Sequence, residues 1–276
     1  MMPIRLPLPL SPGGHRFGAI PSTPDHHDKS LLTSGIKPQV SFPPSASIQK
    51  WCPPVSDQGQ EGACTAFAAA ALAGFIWRRD TNFRLSPNLS QSFIYYKERE
   101  LEGTLGQGDV GAQVRSSVQV LNQYGACLLA EEGYSDQDFS TPPTSNDLLA
   151  AKFYALGSYH SIGNNILAMK SAVLSNMPFV IGISVYDSFE SDAAASSGLI
   201  PYPNVTTENL LGGHEVLCGV KYDDSIQCPG SPNPGAFGFM NSWSATWGLG
   251  GFAWISYDYL ADSNLTSDVW TQTRWP

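Results

Sequence analysis

Cys64 stands where the loop from Pro54 to Gly62 gives way to an alanine-rich stretch, Cys64-Thr65-Ala66-Phe67-Ala68. A thiol in the first turn of a helix feels the positive end of the macrodipole and unpaired N–H groups, which favour thiolate over thiol. A lone cysteine is as often a small buried residue, so this segment alone decides nothing. A second signal comes 150 residues later in Gly212-Gly213-His214-Glu215, where two glycines leave an imidazole uncrowded at the start of an apolar run. A further 27 residues on, Met240-Asn241-Ser242-Trp243 sets a carboxamide before a tryptophan. Thiolate and imidazolium stabilise each other as an ion pair, so the sulfur can attack a carbonyl carbon and the ring can protonate the leaving amine. A neutral asparagine suits the third place: its oxygen accepts from the second ring N–H and fixes the ring without adding charge.

Those residues need elements to hold them. Gly62–Arg79 is alanine-rich, Ser90–Leu101 repeats Phe93, Ile94 and Lys97, and Gly111–Tyr124 places Val114, Val118 and Leu121 one helical turn apart, so all three predict helices. Asn164–Asn176 predicts a fourth. Strands are expected at Pro178–Tyr186, His214–Tyr222, Ala236–Trp243 and Gly250–Tyr257, separated by Gly/Pro-rich loops. Helices first and strands second indicate an α+β protein of two packed halves with a cleft between them. The expected division is a Pro-rich arm over 1–50, a helical part over 51–157 carrying the cysteine, and a β-rich part over 158–276 carrying His214 and Asn241. No internal repeat is visible.

Composition bounds the partners. The chain has 276 residues, 42% hydrophobic and 14% charged, and its longest apolar run, Ala66–Trp77, is too short to span a membrane. The formal charge of −9 and the lack of a Lys/Arg cluster leave nothing to neutralise phosphates, so nucleic acid is not expected as a partner. The split is uneven: the arm carries five basic and two acidic residues, a balance of +3 against −12 for the remainder. Opposite charge would lay the arm along the body, while a disordered tail is the alternative. Five cysteines, Cys52, Cys64, Cys127, Cys218 and Cys228, are an odd number at irregular spacing, so a free thiol is expected and no zinc-ligand pair is recognisable. Sequons at Asn88, Asn204 and Asn264 are expected from chance in a chain rich in these residues. Prolines at positions 3, 7 and 9 break any signal-peptide helix, which favours a cytoplasmic setting. A monomer without metal or organic cofactor is expected.

In the order Cys64, His214, Asn241 the chain resembles the papain family of cysteine peptidases. The resemblance covers most of 50–272 and includes Leu85-Ser86-Pro87 before a helix, Asp109-Val110-Gly111-Ala112 opening another, and Tyr124-Gly125 at its end. It implies the papain-like two-part fold, with a helical half and an antiparallel β-barrel-like half. It also implies hydrolysis of peptide bonds through an acyl-enzyme on Cys64, with His214 as general base and acid and Asn241 orienting the ring. Gln58, six positions before the nucleophile, matches the family's oxyanion-hole side chain. Trp243 and Trp247 match its aromatic shield. Gly111, Ala112 and Gly213 match the places that line a bound peptide, with Trp243 beside them.

The departures from the family matter. Glu61 stands where many secreted members have a cysteine, so the familiar disulfide beside the site cannot form. Thr65 replaces a bulky aromatic, and Ala112 replaces the second of two glycines, which puts the fit of that subsite in question. Glu215 follows the histidine where a small residue is usual, and is expected to give the pocket for the second residue before the scissile bond an acidic floor, with a buried salt bridge as the alternative. The arm is too short for the family's full inhibitory segment, yet could cover the cleft as a short pro-segment or serve as a docking tail. Two rivals share this reading: the same machinery used for transpeptidation or other acyl transfer, and a catalytically idle binding module.

Overall fold

The computed structural model describes residues 4–31 and 41–274; of the arm, 1–3 and 32–40 lie outside the described residues. In chain order the elements are β1 (Ala19–Ile20), β2 (Ser45–Ser47), α1 (Cys64–Thr81), α2 (Gln91–Glu102), β3 (Ala112–Gln113), α3 (Val114–Gln123), α4 (Ser145–Ala151), β4 (Tyr159–Ser161), α5 (Ile166–Leu174), β5 (Phe179–Tyr186), α6 (Asp192–Ser197), β6 (Leu210–Asp223), β7 (Ala236–Met240), β8 (Phe252–Ser256), α7 (Tyr257–Ala261) and β9 (Thr266–Gln272). The three expected helices of the first part and the four expected strands of the second are all present, with bounds moved by a few residues.

Helix α1 is the spine. Alanine is the strongest helix former, and its small side chain lets the neighbouring helices approach closely. Ala66, Ala69 and Ala73 are fully buried, as are Leu72, Phe75 and Ile76, each worth about 1.5–3 kcal/mol of burial. The helix stops at Asn82, which adopts a left-handed conformation and returns its N–H to the carbonyls of Arg78 and Arg79. Helix α2 starts at Ser90, whose hydroxyl accepts from the Phe93 N–H at 3.1 Å, and ends at Gly103, also left-handed.

The second half is a sheet in the order β4-β9-β5-β6-β7-β8, with β2 also pairing β6. Its neighbours are antiparallel. The barrel-like half expected from the resemblance is corrected here: β4 and β8 are not paired among the described residues, so the sheet is open. The long strand β6 positions the site. It carries Gly212 to Glu215 beside β5, and its register with β7, Leu217 opposite Met240, brings Asn241 level with the same end. β2 lies within residues 1–50 but belongs to this sheet. No described helix is long and apolar enough to cross a membrane.

Candidate active site

Cys64 is the first residue of α1 and lies against the backbone N–H of Glu215 in β6, the residue after His214, while Asn241 follows the end of β7. The His214 Nε2–H donates to Asn241 Oδ1 at 2.8 Å, and the same oxygen accepts from the Ser242 N–H at 2.9 Å. That leaves the ring's Nδ1 buried without a hydrogen-bond partner. Trp243 stacks on the imidazole, centroids 5.1 Å apart, and Trp247 meets Trp243 edge-on at 5.3 Å. The indole therefore shields the histidine–asparagine bond from water.

Gln58 is tied into the same unit. Its backbone N–H donates to Ser242 O at 2.9 Å, and its side-chain Oε1 accepts from the Ser242 hydroxyl at 2.6 Å. With the oxygen held there, Nε2 is turned towards Glu61 O at 2.9 Å and Arg16 O at 3.5 Å. Ser242 thus orients the carboxamide of Gln58, a role the sequence reading missed although the residue sits directly after Asn241.

The strip expected to line a bound peptide meets the arm instead. Ala112 is buried through its methyl group but presents its backbone N–H, which donates to Gly18 O at 3.0 Å, so the missing second glycine leaves the main-chain donor intact. Gly111 adopts a left-handed φ of +70°, and a Cβ there would lie 2.1 Å from Gly18 O. Across the cleft, a Cβ on Gly213 would lie 2.1 Å from Ala19 O.

The arm accounts for these contacts. β1 pairs with β3 in parallel register, Ala19 with Ala112, and Gly18 bridges to Gly213. Phe17 sets its ring edge-on to His214, and His15 stacks on the outer face of Trp243 with centroids 3.9 Å apart while its Nδ1 lies 2.9 Å from Glu190 Oε1. Cys64 and His214 are both 0% exposed. Burial pushes the thiol up to about 12, against the pull of the Glu215 and Gly18 main-chain N–H groups, and pushes the imidazole down to about 4, against its bond to Asn241. Beneath the arm both shifts favour the neutral forms, which differs from the ion pair expected of a thiol at a helix N-terminus. Desolvation outweighs the main-chain N–H groups there.

Glu215 is the clear correction. It is buried, and its Oε1 accepts from the Ser117 hydroxyl of α3 at 2.9 Å rather than pairing with a cation. A cavity of about 180 Å³ beside the strip is lined by Ala19, Pro21, Val114, Gly182 and Gly213 among others, but not by Glu215. Burial, with Glu98 nearby, holds its carboxyl well above the usual range, and the side chain is turned towards Ser117 of α3 rather than into this cavity. All five cysteines are unpaired.

Three buried carboxyls near α1 give the fold a pH dependence. Burial raises Glu61 to about 8 and pushes Glu98 and Glu215 well above their ordinary value of 4.5. The folded chain therefore holds protons that the unfolded chain has released, and stability falls as pH rises from about 4.5 through 8. Thermal melts are expected to show a lower Tm at about pH 8.5 than at about pH 5, and Glu61→Gln should reduce that difference.

With this geometry established, comparison with known proteins adds the relatives. The model of the papain family of cysteine proteases matches residues 44–273. An uncharacterized peptidase C1-like protein of Acanthamoeba polyphaga mimivirus is 32% identical over 284 residues, covering 92% of this chain and 85% of that protein. The crystal structure of xylellain, a cysteine protease from Xylella fastidiosa, superposes over 100% of both chains with a TM-score of 0.83 at 30% identity. Procathepsin B S9 from Trypanosoma congolense covers 94% of this chain and 87% of its own with a TM-score of 0.71; at 16% identity it shows the shared fold alone. The chain belongs to the papain family of cysteine proteases and is a cysteine-type peptidase.

Proposed function

We propose that the chain hydrolyses peptide bonds by forming an acyl-enzyme on Cys64, with His214 moving the proton, Asn241 and Trp243 fixing the ring, and Gln58 binding the oxyanion. The observation that carries this is the imidazole whose Nε2 is fixed on Asn241 while its buried Nδ1 is left without a partner. Once the arm has left, the Cys64 proton passes to His214 Nδ1, the substrate carbonyl carbon bonds to the sulfur and its π electrons move onto oxygen, where the Gln58 Nε2–H and the Cys64 N–H stabilise them. The C=O then re-forms as the C–N bond breaks and the hydrogen on His214 Nδ1 passes to the departing amine. Water, giving a proton back to the ring, attacks the thioester and releases the acid and the thiolate.

The arm is the resting-state inhibitor in this reading. The amine must leave beside the imidazole, so the acyl part of a substrate lies along Ala112. The arm runs the other way, from Phe17 at the imidazole to Pro21 in the cavity. Its Arg16 carbonyl faces Gln58 Nε2, the donor meant for the oxyanion. It fills the cleft without offering a peptide bond in productive direction.

Gln58 gives the test. Alkylation of a thiol builds no oxyanion, whereas peptide hydrolysis does. Gln58→Ala is expected to lower kcat by about 10²–10³ while changing the rate at which iodoacetamide labels Cys64 by only a few fold. His214→Ala should slow both reactions. Equal loss in both reactions for Gln58→Ala would remove it from the oxyanion hole.

A further inference from the structure

Among the charged contacts between arm and body, one lies directly beside the strip of Gly111 and Ala112. The guanidinium of Arg5, 14% exposed, approaches Glu102 Oε2 to 2.6 Å through NH1, which also reaches the Gly111 carbonyl at 3.3 Å. The Arg5 backbone N–H donates to the side chain of Gln107 at 2.9 Å. Gly111 is the strip residue directly before Ala112, whose N–H holds Gly18 O. Two arm segments distant in sequence therefore share adjacent peptide groups of the strip: one through its backbone, the other through a cationic side chain.

Glu102 is built for this. It ends α2, its side chain is 4% exposed, and its other oxygen, Oε1, accepts from the Gln113 N–H of the strip at 2.7 Å. The strip's own backbone thus orients the carboxylate so that Oε2 faces Arg5. The nearest cation on the same helix does not compete: NH1 and NH2 of Arg99 are committed to the carbonyls of Phe139 at 2.6 Å and Gly108 at 2.8 Å. When the arm leaves, a buried carboxylate loses its counter-ion, a state that favours any replacement cation.

We infer that Glu102 and the Gly111 carbonyl form a guanidinium subsite of the substrate cleft, so that the peptidase selects peptides carrying arginine next to the strip, with Arg5 holding the place in the resting chain. Arginine fits better than lysine because its planar fork can bond carboxylate and carbonyl together. The acidic body draws such peptides in. The inference rests on the peptidase reading above and moves the acidic recognition expected of Glu215 to a residue that remains charge-paired.

The test uses the full chain with Arg5→Ala, which empties the subsite, and fluorogenic peptides identical except for one arginine or one citrulline moved through successive positions. At one position the arginine peptide is expected to show a kcat/KM at least about tenfold higher, the size of a close charge pair, and Glu102→Gln in the same background should bring the ratio to within about threefold. The ratio compares two peptides on one protein, so it does not depend on the fraction of molecules with the arm displaced. Equal cleavage of both peptides at every position overturns the subsite and leaves the peptidase reading intact. Calorimetry on the Cys64→Ala, Arg5→Ala chain supplies a readout without turnover. If neither peptide is cleaved by the active chain but the arginine peptide binds this variant about tenfold more tightly, the subsite stands and the catalytic reading falls; equal binding without cleavage removes both.

Discussion

Cys64→Ala is expected to reduce peptide turnover by at least about 10⁴-fold, with initial rates on any cleaved peptide as the measurement. No neighbour can replace the sulfur. The Thr65 hydroxyl donates to Glu98 at 2.6 Å in the buried interior, and the Ser242 hydroxyl is committed to Gln58 at 2.6 Å. Cys218 is fully buried in β6, and burial pushes the partly buried Cys52 up to about 12. His214→Ala should cost a comparable factor, because without the ring neither the thiolate nor the leaving amine is served. The double variant should be no worse than either single one, since the two groups act as a unit. Costs that multiply would mean that the two residues act independently and that the proposed pair does not exist.

The proposed catalytic residues were legible because each carried a local reason for its place: a thiol at the start of an alanine-rich helix, an imidazole after two glycines, a carboxamide before a tryptophan. The helices and central strands were legible from their apolar periodicity. β9 was not, because Thr266–Gln272 hides its burial behind polar side chains satisfied from outside: the Thr271 hydroxyl donates to Pro178 O at 2.7 Å and Gln272 Nε2 to Gly157 O at 3.0 Å. Glu215 misled for a related reason. Strand alternation says which face a residue takes, but not that Ser117 on a distant helix will supply its hydrogen bond. The arm was legible in charge but not in path. Its contacts are main-chain pairings that carry no side-chain signature and isolated side chains, Arg5 on Glu102 and His15 on Glu190, with no repeat to announce them. The protonation state of Cys64 depends on that path, so it could not be read from the helix N-terminus alone.

Gly18→Val in the full chain is expected to raise peptide turnover by about 10–100-fold. Gly18 is the arm's tightest point: a Cβ there would lie 1.8 Å from the Gly62 carbonyl oxygen, a backbone atom at the foot of α1. Its φ is not in the left-handed region, so valine suits the backbone and the penalty is one of space alone. Overlap of this kind in a close-packed setting costs about 1–3 kcal/mol, which shifts the arm's equilibrium towards release by roughly one to two powers of ten. Iodoacetamide labelling of Cys64 should rise by the same factor, because the reagent and the peptide both wait for the arm. Gly213→Val is the control. Its Cβ would also strike the arm, at Ala19 O, but the new side chain stays in the cleft after the arm has gone. It should therefore expel the arm without any gain in turnover. A Gly18→Val chain that hydrolyses and alkylates at the wild-type rate would show that the seated arm does not limit access to Cys64.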